Sequence, residues 1–218
     1  MIRSPLRSRL AAVAFGAALL APGVTAGAQT FYPSFQPPRT VDREYNVAVA
    51  DGDDITSLLF QWREGWSPVS QLSLDVGVAD PEAEDADVQL LLGGFYARQL
   101  ARSSTDMPLD LLLTLGANSI IGDAFALEVP VGVSVGHRFP LDGPLAITPY
   151  LHPRVALQYC SECGDDGDSD TDLGVAFDLG VDFEVSPRLS LRGTFLFGDD
   201  DADAIGFGLA WRPVGLRR

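Results

Sequence analysis

Between Asp172 and Val185 apolar and polar positions alternate without a break. Leu173, Val175, Phe177, Leu179, Val181, Phe183 and Val185 fall on one face. Asp172, Gly174, Ala176, Asp178, Gly180, Asp182 and Glu184 fall on the other. A period of two over this length predicts a strand with one apolar face and one small or charged face. It is long for a soluble strand, which usually runs about five or six residues. A tilted strand crosses a bilayer in about 9–11. The pattern recurs. Phe125, Leu127, Val129, Val131, Val133 and Val135 alternate with Ala126, Glu128, Gly132, Ser134 and Gly136. Leu72, Leu74, Val76 and Val78 alternate with Ser73, Asp75, Gly77 and Ala79; Ile205, Phe207, Leu209 and Trp211 alternate with Ala204, Gly206, Gly208 and Ala210.

The pattern predicts ten strands, at roughly 44–50, 55–62, 70–79, 87–100, 109–118, 124–139, 145–159, 171–185, 188–197 and 203–212. The second, fourth and fifth alternate poorly, and Leu111, Leu112 and Leu113 run together. Without the first two the count is eight. Either number is even, as single-chain bacterial barrels require.

The connections fall into two alternating classes. Odd connections are acidic: Asp51-Gly52-Asp53-Asp54, Asp80 to Asp87, Gly122-Asp123, Gly164 to Asp172, and Asp199 to Asp203. Even ones are mostly tight and carry proline: Gly65-Trp66-Ser67-Pro68, Pro140 to Pro144, and Ser186-Pro187, with a longer one around Arg102 to Pro108. An up-and-down barrel puts alternate connections on opposite sides of the membrane, short turns inside and longer loops outside. A soluble sandwich with Greek-key connections has no reason to alternate its loop chemistry.

The chain start adds a compartment. Arg3, Arg7 and Arg9 precede an apolar run from Leu10 to Ala21, and Ala26-Gly27-Ala28 has the small residues of a cleavage site. The run is about a dozen residues, short of the roughly 20 of a spanning helix. Residues 1–28 therefore read as a signal peptide, 29–43 as a short periplasmic segment, and 44–218 as the barrel. The formal charge of -15 argues against nucleic acid as a partner. It becomes more negative once the leader's arginines are removed.

These strands, leader and loops resemble the small outer-membrane β-barrel families of the attachment and opacity-protein type. Gly206, Leu209 and Trp211 hold the spacing of the final strand that barrel-insertion machinery reads in such families. Ala204 stands where a polar residue is usual, and Arg212 to Arg218 continue past the terminal aromatic. The resemblance implies an all-β, up-and-down antiparallel transmembrane barrel in the bacterial outer membrane. Its partners would be lipid and the insertion machinery, and it would be a monomer. Its role would be non-catalytic, in envelope structure or surface interaction. A narrow channel for small solutes is one alternative, and a soluble secreted lipocalin-like barrel is another. Against the last stands space: a small barrel cannot hold the bulky set of Leu173 to Val185 and its counterparts inside while Gly and Ala face out.

Candidate chemistry is sparse. Asp75, Asp110, Glu128, Asp178, Asp182, Glu184, Arg138, Arg154 and Arg192 are expected to face inward, where buried charges must pair. An interior salt-bridge network is the leading reading and a selective pore the other. His137 and His152 are the two histidines, and neither has the Ser two residues away that a barrel deacylase would need. His152 reads as an interior hydrogen-bonding group, and no enzyme is expected. Asp166, Asp168 and Asp170, within the Asp165–Asp172 run, have the alternate spacing that a Ca²⁺ site uses. The run is not an EF-hand, and a solvated acidic loop is the competing reading. No other cofactor is expected. Cys160 and Cys163 are expected to form a local disulfide in an oxidising compartment. Trp62, Trp66, Tyr96, Tyr159 and Trp211 suggest aromatic girdles. With these faces, Val181→Arg should block insertion and Gly180→Ser should be tolerated.

Overall fold

The computed structural model describes residues 32–52, 55–82, 87–122, 124–161, 168–198 and 203–213. Its strands are β1 (Arg43–Gly52), β2 (Ile55–Ser67), β3 (Ser70–Pro81), β4 (Gln89–Ala101), β5 (Asp110–Ile121) and β6 (Phe125–Gly136). The two-residue β7 (Phe139–Pro140) follows, then β8 (Ala146–Cys160), β9 (Asp170–Ser186), β10 (Leu189–Gly198) and β11 (Ala204–Trp211). Each long strand pairs antiparallel with its neighbours in sequence. The cylinder closes where β1 meets β11, with Tyr45 opposite Trp211 and Gly52 opposite Ala204. β6 pairs with β8 past the short β7. Closure satisfies the ladder all round, and this is what lets a sheet sit in lipid.

The long strands number ten, so the first two predicted strands do span. Burial alternates along β2 despite its uneven sequence. Its irregularity comes from Thr56 and Glu64 on the outer parity, from Ile55 on the inner one, and from Leu59, which faces inward and is fully buried. Leu91 in β4 and Leu112 in β5 do the same. Each is an apolar residue on the polar face.

Elsewhere the faces divide as the pattern predicts. Leu58, Phe60, Leu74, Leu157, Leu173, Phe195 and Phe207 are exposed on the outer wall. Asp75, Asp110, Glu128, Asp178, Asp182, Arg154 and Arg192 are buried inside. Apolar surface so extensive needs a nonaqueous neighbour. This is the inverse of a lipocalin, so the soluble-barrel reading is set aside. Trp62, Trp66, Tyr96, Tyr159 and Trp211 are all exposed. Tyr45 stacks on Trp211 at 5.7 Å at the end where the tight turns lie, called the turn end below. The acidic connections lie at the opposite, loop end.

One expectation needs correcting. A Cβ on Gly180 would run into the Tyr150 ring, so Gly180→Ser displaces a buried ring. Val181→Arg puts a charge on the lipid face, which costs about 2–4 kcal/mol at the midplane. In lipid vesicles Val181→Leu should fold as the wild type does. Val181→Arg should lose insertion, and Gly180→Ser should insert but unfold at lower urea. Heat-modifiable gel migration and urea titration separate these outcomes, and equal behaviour of Val181→Arg and Val181→Leu would contradict the assignment of faces.

Candidate functional site: the barrel lumen

The segment before β1 is rich in proline: Pro33, Pro37 and Pro38. Each lacks an N–H to give a ladder, so three of them close together make this stretch a poor strand. The sequence reading set residues 29–43 in the periplasm. The structure instead threads the described part, from Tyr32, up the inside of the barrel from the turn end. The lumen offers this chain polar partners at each level, and solvent would not have fixed its path.

At the turn end Val41 N donates to Oε1 of Gln71 at 2.9 Å and Thr40 N to Oε1 of Gln99 at 3.0 Å. Gln99 Nε2 donates to the Pro38 carbonyl, and Ser134 Oγ to that of Gln36 at 2.7 Å. Arg63 Nη2 donates to the Phe35 carbonyl at 2.7 Å. Further up, Ser34 Oγ donates to Asp178 at 2.9 Å, Arg154 donates to the Tyr32 carbonyl, and the Tyr32 hydroxyl donates to Asn118 at 3.0 Å.

Interior glycines make room for these rings. A Cβ on Gly206 would lie 2.5 Å from Cζ of Phe35, and one on Gly93 would lie 2.6 Å from the Tyr32 hydroxyl. Two of the apolar residues that spoiled the alternation belong here too. Leu59 and Leu91 pack with Tyr32, Phe35, Ala48 and Ala79 in one buried cluster. Phe35 has φ 46°, a left-handed conformation that a bulky side chain adopts only when its surroundings impose it.

The charges form an ordered network. Glu44, fully buried, accepts from both Arg192 guanidinium nitrogens at 2.8 Å, from Arg63 at 2.8 Å and from Arg212 at 2.9 Å. Arg192 also holds Asp182 at 2.8 Å. Arg154 holds Asp178 at 3.1 Å. At the turn-end mouth Arg138, outside the strands, holds Glu184. Glu44, Arg63 and Arg212 were not among the expected inward charges. The parity of Arg63 with Gln61 and Ser57 along β2 was the available signal.

His152 sits mid-lumen, as expected. Ser34 Oγ lies 2.8 Å from its Nδ1, and Thr114 Oγ1 lies 2.8 Å from its Nε2. A hydroxyl has one proton. With that of Ser34 given to Asp178, Nδ1–H donates to Ser34 and Nε2 accepts from Thr114. The Ser, His and Asp residues therefore do not form a catalytic relay, because serine and carboxylate share one side of the ring. A void of about 10 Å³ beside Ser34, Asp75, Thr114 and His152 has room for about one water. At the turn end the lumen widens to a cavity of about 470 Å³ beside Thr40, Arg63 and Arg212.

His137 lies outside the strands, its ring against Phe139. Cys160 is buried at the end of β8, and Cys163 lies outside the described residues. Asp166 also lies outside them, and Asp168 and Asp170 are exposed.

No protein-family model matches the chain, and no curated protein does. Among solved structures it is similar to the KdgM porin, at 5% identity over 78% of this chain and 99% of that one, with a TM-score of 0.43. It is similar to the attachment invasion locus protein Ail of Yersinia pestis, at 10% identity over 77% of this chain and 91% of that one, with a TM-score of 0.29. Neisserial surface protein A matches at 13% identity, over 78% and 94% of the two chains, with a TM-score of 0.28.

Emptying the Phe35 pocket should be costly. Phe35→Ala should lower stability by about 3–5 kcal/mol. Phe35→Gly leaves the same cavity but is at ease at this φ. It should be no less stable than Phe35→Ala, a ranking that urea titration in vesicles reads directly.

Proposed function

We propose that this chain is an integral outer-membrane barrel of a diderm bacterium, with a non-catalytic role in envelope structure or surface interaction. In the state described it is closed to solutes. One observation carries the reading: inside an apolar cylinder, the lumen is filled by the chain's own segment Tyr32–Val41 and its hydrogen-bond partners. A barrel built for bulk diffusion has no use for such a filling.

The expected leader delivers the chain across the inner membrane, and the last strand presents Gly206, Leu209 and Trp211 to the insertion machinery. The turn end then faces the periplasm. At the loop end Asp51, Asp80, Glu82, Asp87, Asp168, Asp170 and Asp203 are exposed. A ring of like charge at one rim favours partners that bring positive charge. Ca²⁺ at Asp166, Asp168 and Asp170 and a Cys160–Cys163 disulfide belong to this reading of the outer rim.

The purified protein should resist carbonate extraction and migrate as a compact band until boiled. It should add no conductance steps in planar bilayers. Extraction by carbonate would end the membrane reading, and steady conductance from the unmodified protein would replace a closed barrel with a channel.

A further inference from the structure

The lumen's charges are divided by wall. Glu44 on β1, Arg63 on β2, Asp182 on β9 and Arg192 on β10, with Arg212 just past β11, form a network of three arginines and two carboxylates around the closure. The facing wall, β3 to β6, carries Asp75, Asp110 and Glu128, all buried, and no buried arginine among the described residues. Asp75 and Glu128 each use one oxygen, to Gln61 and Asn118. Oδ1 of Asp75 and Oε1 of Glu128 have no hydrogen-bond partner among the described residues. Asp110 has the Arg39 guanidinium at 3.8 Å, and Arg39 belongs to the threaded segment. The acidic wall is thus covered by the segment and not neutralised by its own strands.

The segment is held by side-chain packing and side-chain hydrogen bonds, not by a ladder. It pairs with no strand, its prolines have no N–H to offer one, and Phe35 has a strained backbone. Its partners are chiefly wall side chains that water could satisfy. It enters through the cavity of about 470 Å³ at the turn end, which leaves space for its retreat.

We infer that Tyr32–Val41 is a displaceable plug, and that its withdrawal toward the turn end converts the lumen into a pore selective for small cations, with Asp75 and Glu128 as the selecting carboxylates. The inference rests on the spanning, closed barrel of the preceding subsection. With the plug out, the unpartnered carboxylate oxygens face water on a wall that carries no buried arginine of its own, with Arg63 on β2 and Arg154 on β8 flanking it. A cation passing there meets an excess of negative charge in a narrow, low-dielectric setting, where such charge acts strongly.

The test uses the full chain in planar bilayers under a KCl gradient, with heat-modifiable migration as the check of folding. Gly206→Leu fills the Phe35 pocket from the wall and leaves the segment's sequence unchanged. Tyr32→Ala with Phe35→Ala removes the anchors from the segment. Both should give conductance steps absent from the wild type, with a reversal potential on the cation side. Adding Asp75→Asn and Glu128→Gln should move that potential toward zero while the steps persist. Folded but silent variants overturn the plug and leave the closed-barrel reading standing. So does failure of both variants to fold beside a folded wild type, since the segment would then be part of the wall. Anion-selective steps, or a reversal potential indifferent to Asp75 and Glu128, overturn the assignment of selectivity. Wild-type protein that does not insert overturns the spanning barrel itself.

Discussion

The width of a closed ten-stranded cylinder governs the rest of this structure. Lipid satisfies no backbone polar group, so the sheet must close on itself. Closure sets the diameter, which grows with strand number, and about eight strands make an interior that side chains alone can fill. Ten leave more space than the wall residues occupy. The outer face has taken the bulky apolar residues, and the inner face carries many small ones such as Ala48, Gly93, Ala176 and Gly206. The remaining volume is taken by the chain's own Tyr32–Val41.

This filling explains the placement of the interior charges. A carboxylate sealed in a narrow lumen is costly unless paired and hydrogen-bonded. Glu44 meets that condition with three arginines, and Asp178 meets it with Arg154 and Ser34. Such networks are weak evidence for net stability, because desolvation offsets much of the attraction. Their geometric demands do specify a register. Arg192 reaches Glu44 and Asp182 together only if β9, β10, β11 and β1 are aligned as they are. Asp75 and Glu128 stand apart because their wall supplies amides in place of guanidinium groups.

The segment and the barrel shape each other. Phe35 occupies a left-handed conformation because its ring fits over Gly206 and its carbonyl meets Arg63. Leu59 and Leu91 turn inward because an apolar cluster awaits them there. His152, which in isolation suggests catalysis, spends both ring nitrogens on anchoring and on Thr114.

Strands, faces and the two classes of connection were legible in the sequence, because strand geometry imposes a period of two wherever one side meets lipid and the other does not. Val181 could be assigned outward and Asp178 inward from their neighbours alone. The inward prediction held for Asp75, Glu128 and Arg192 for the same reason. The sequence did not show that residues 32–41 enter the barrel, since a proline-rich stretch without periodicity reads as a linker. Nor did it separate eight strands from ten, because Leu59, Leu91 and Leu112 blur the alternation of β2, β4 and β5. The two failures share a cause. Leu59 and Leu91 break the local rule to meet the lumenal chain, and Gly180 is small because Tyr150 lies over it. Local periodicity follows from each strand's own backbone. What fills the lumen follows from a diameter that exists only once β1 and β11 have met, between residues more than a hundred positions apart, and only the tertiary structure could decide it.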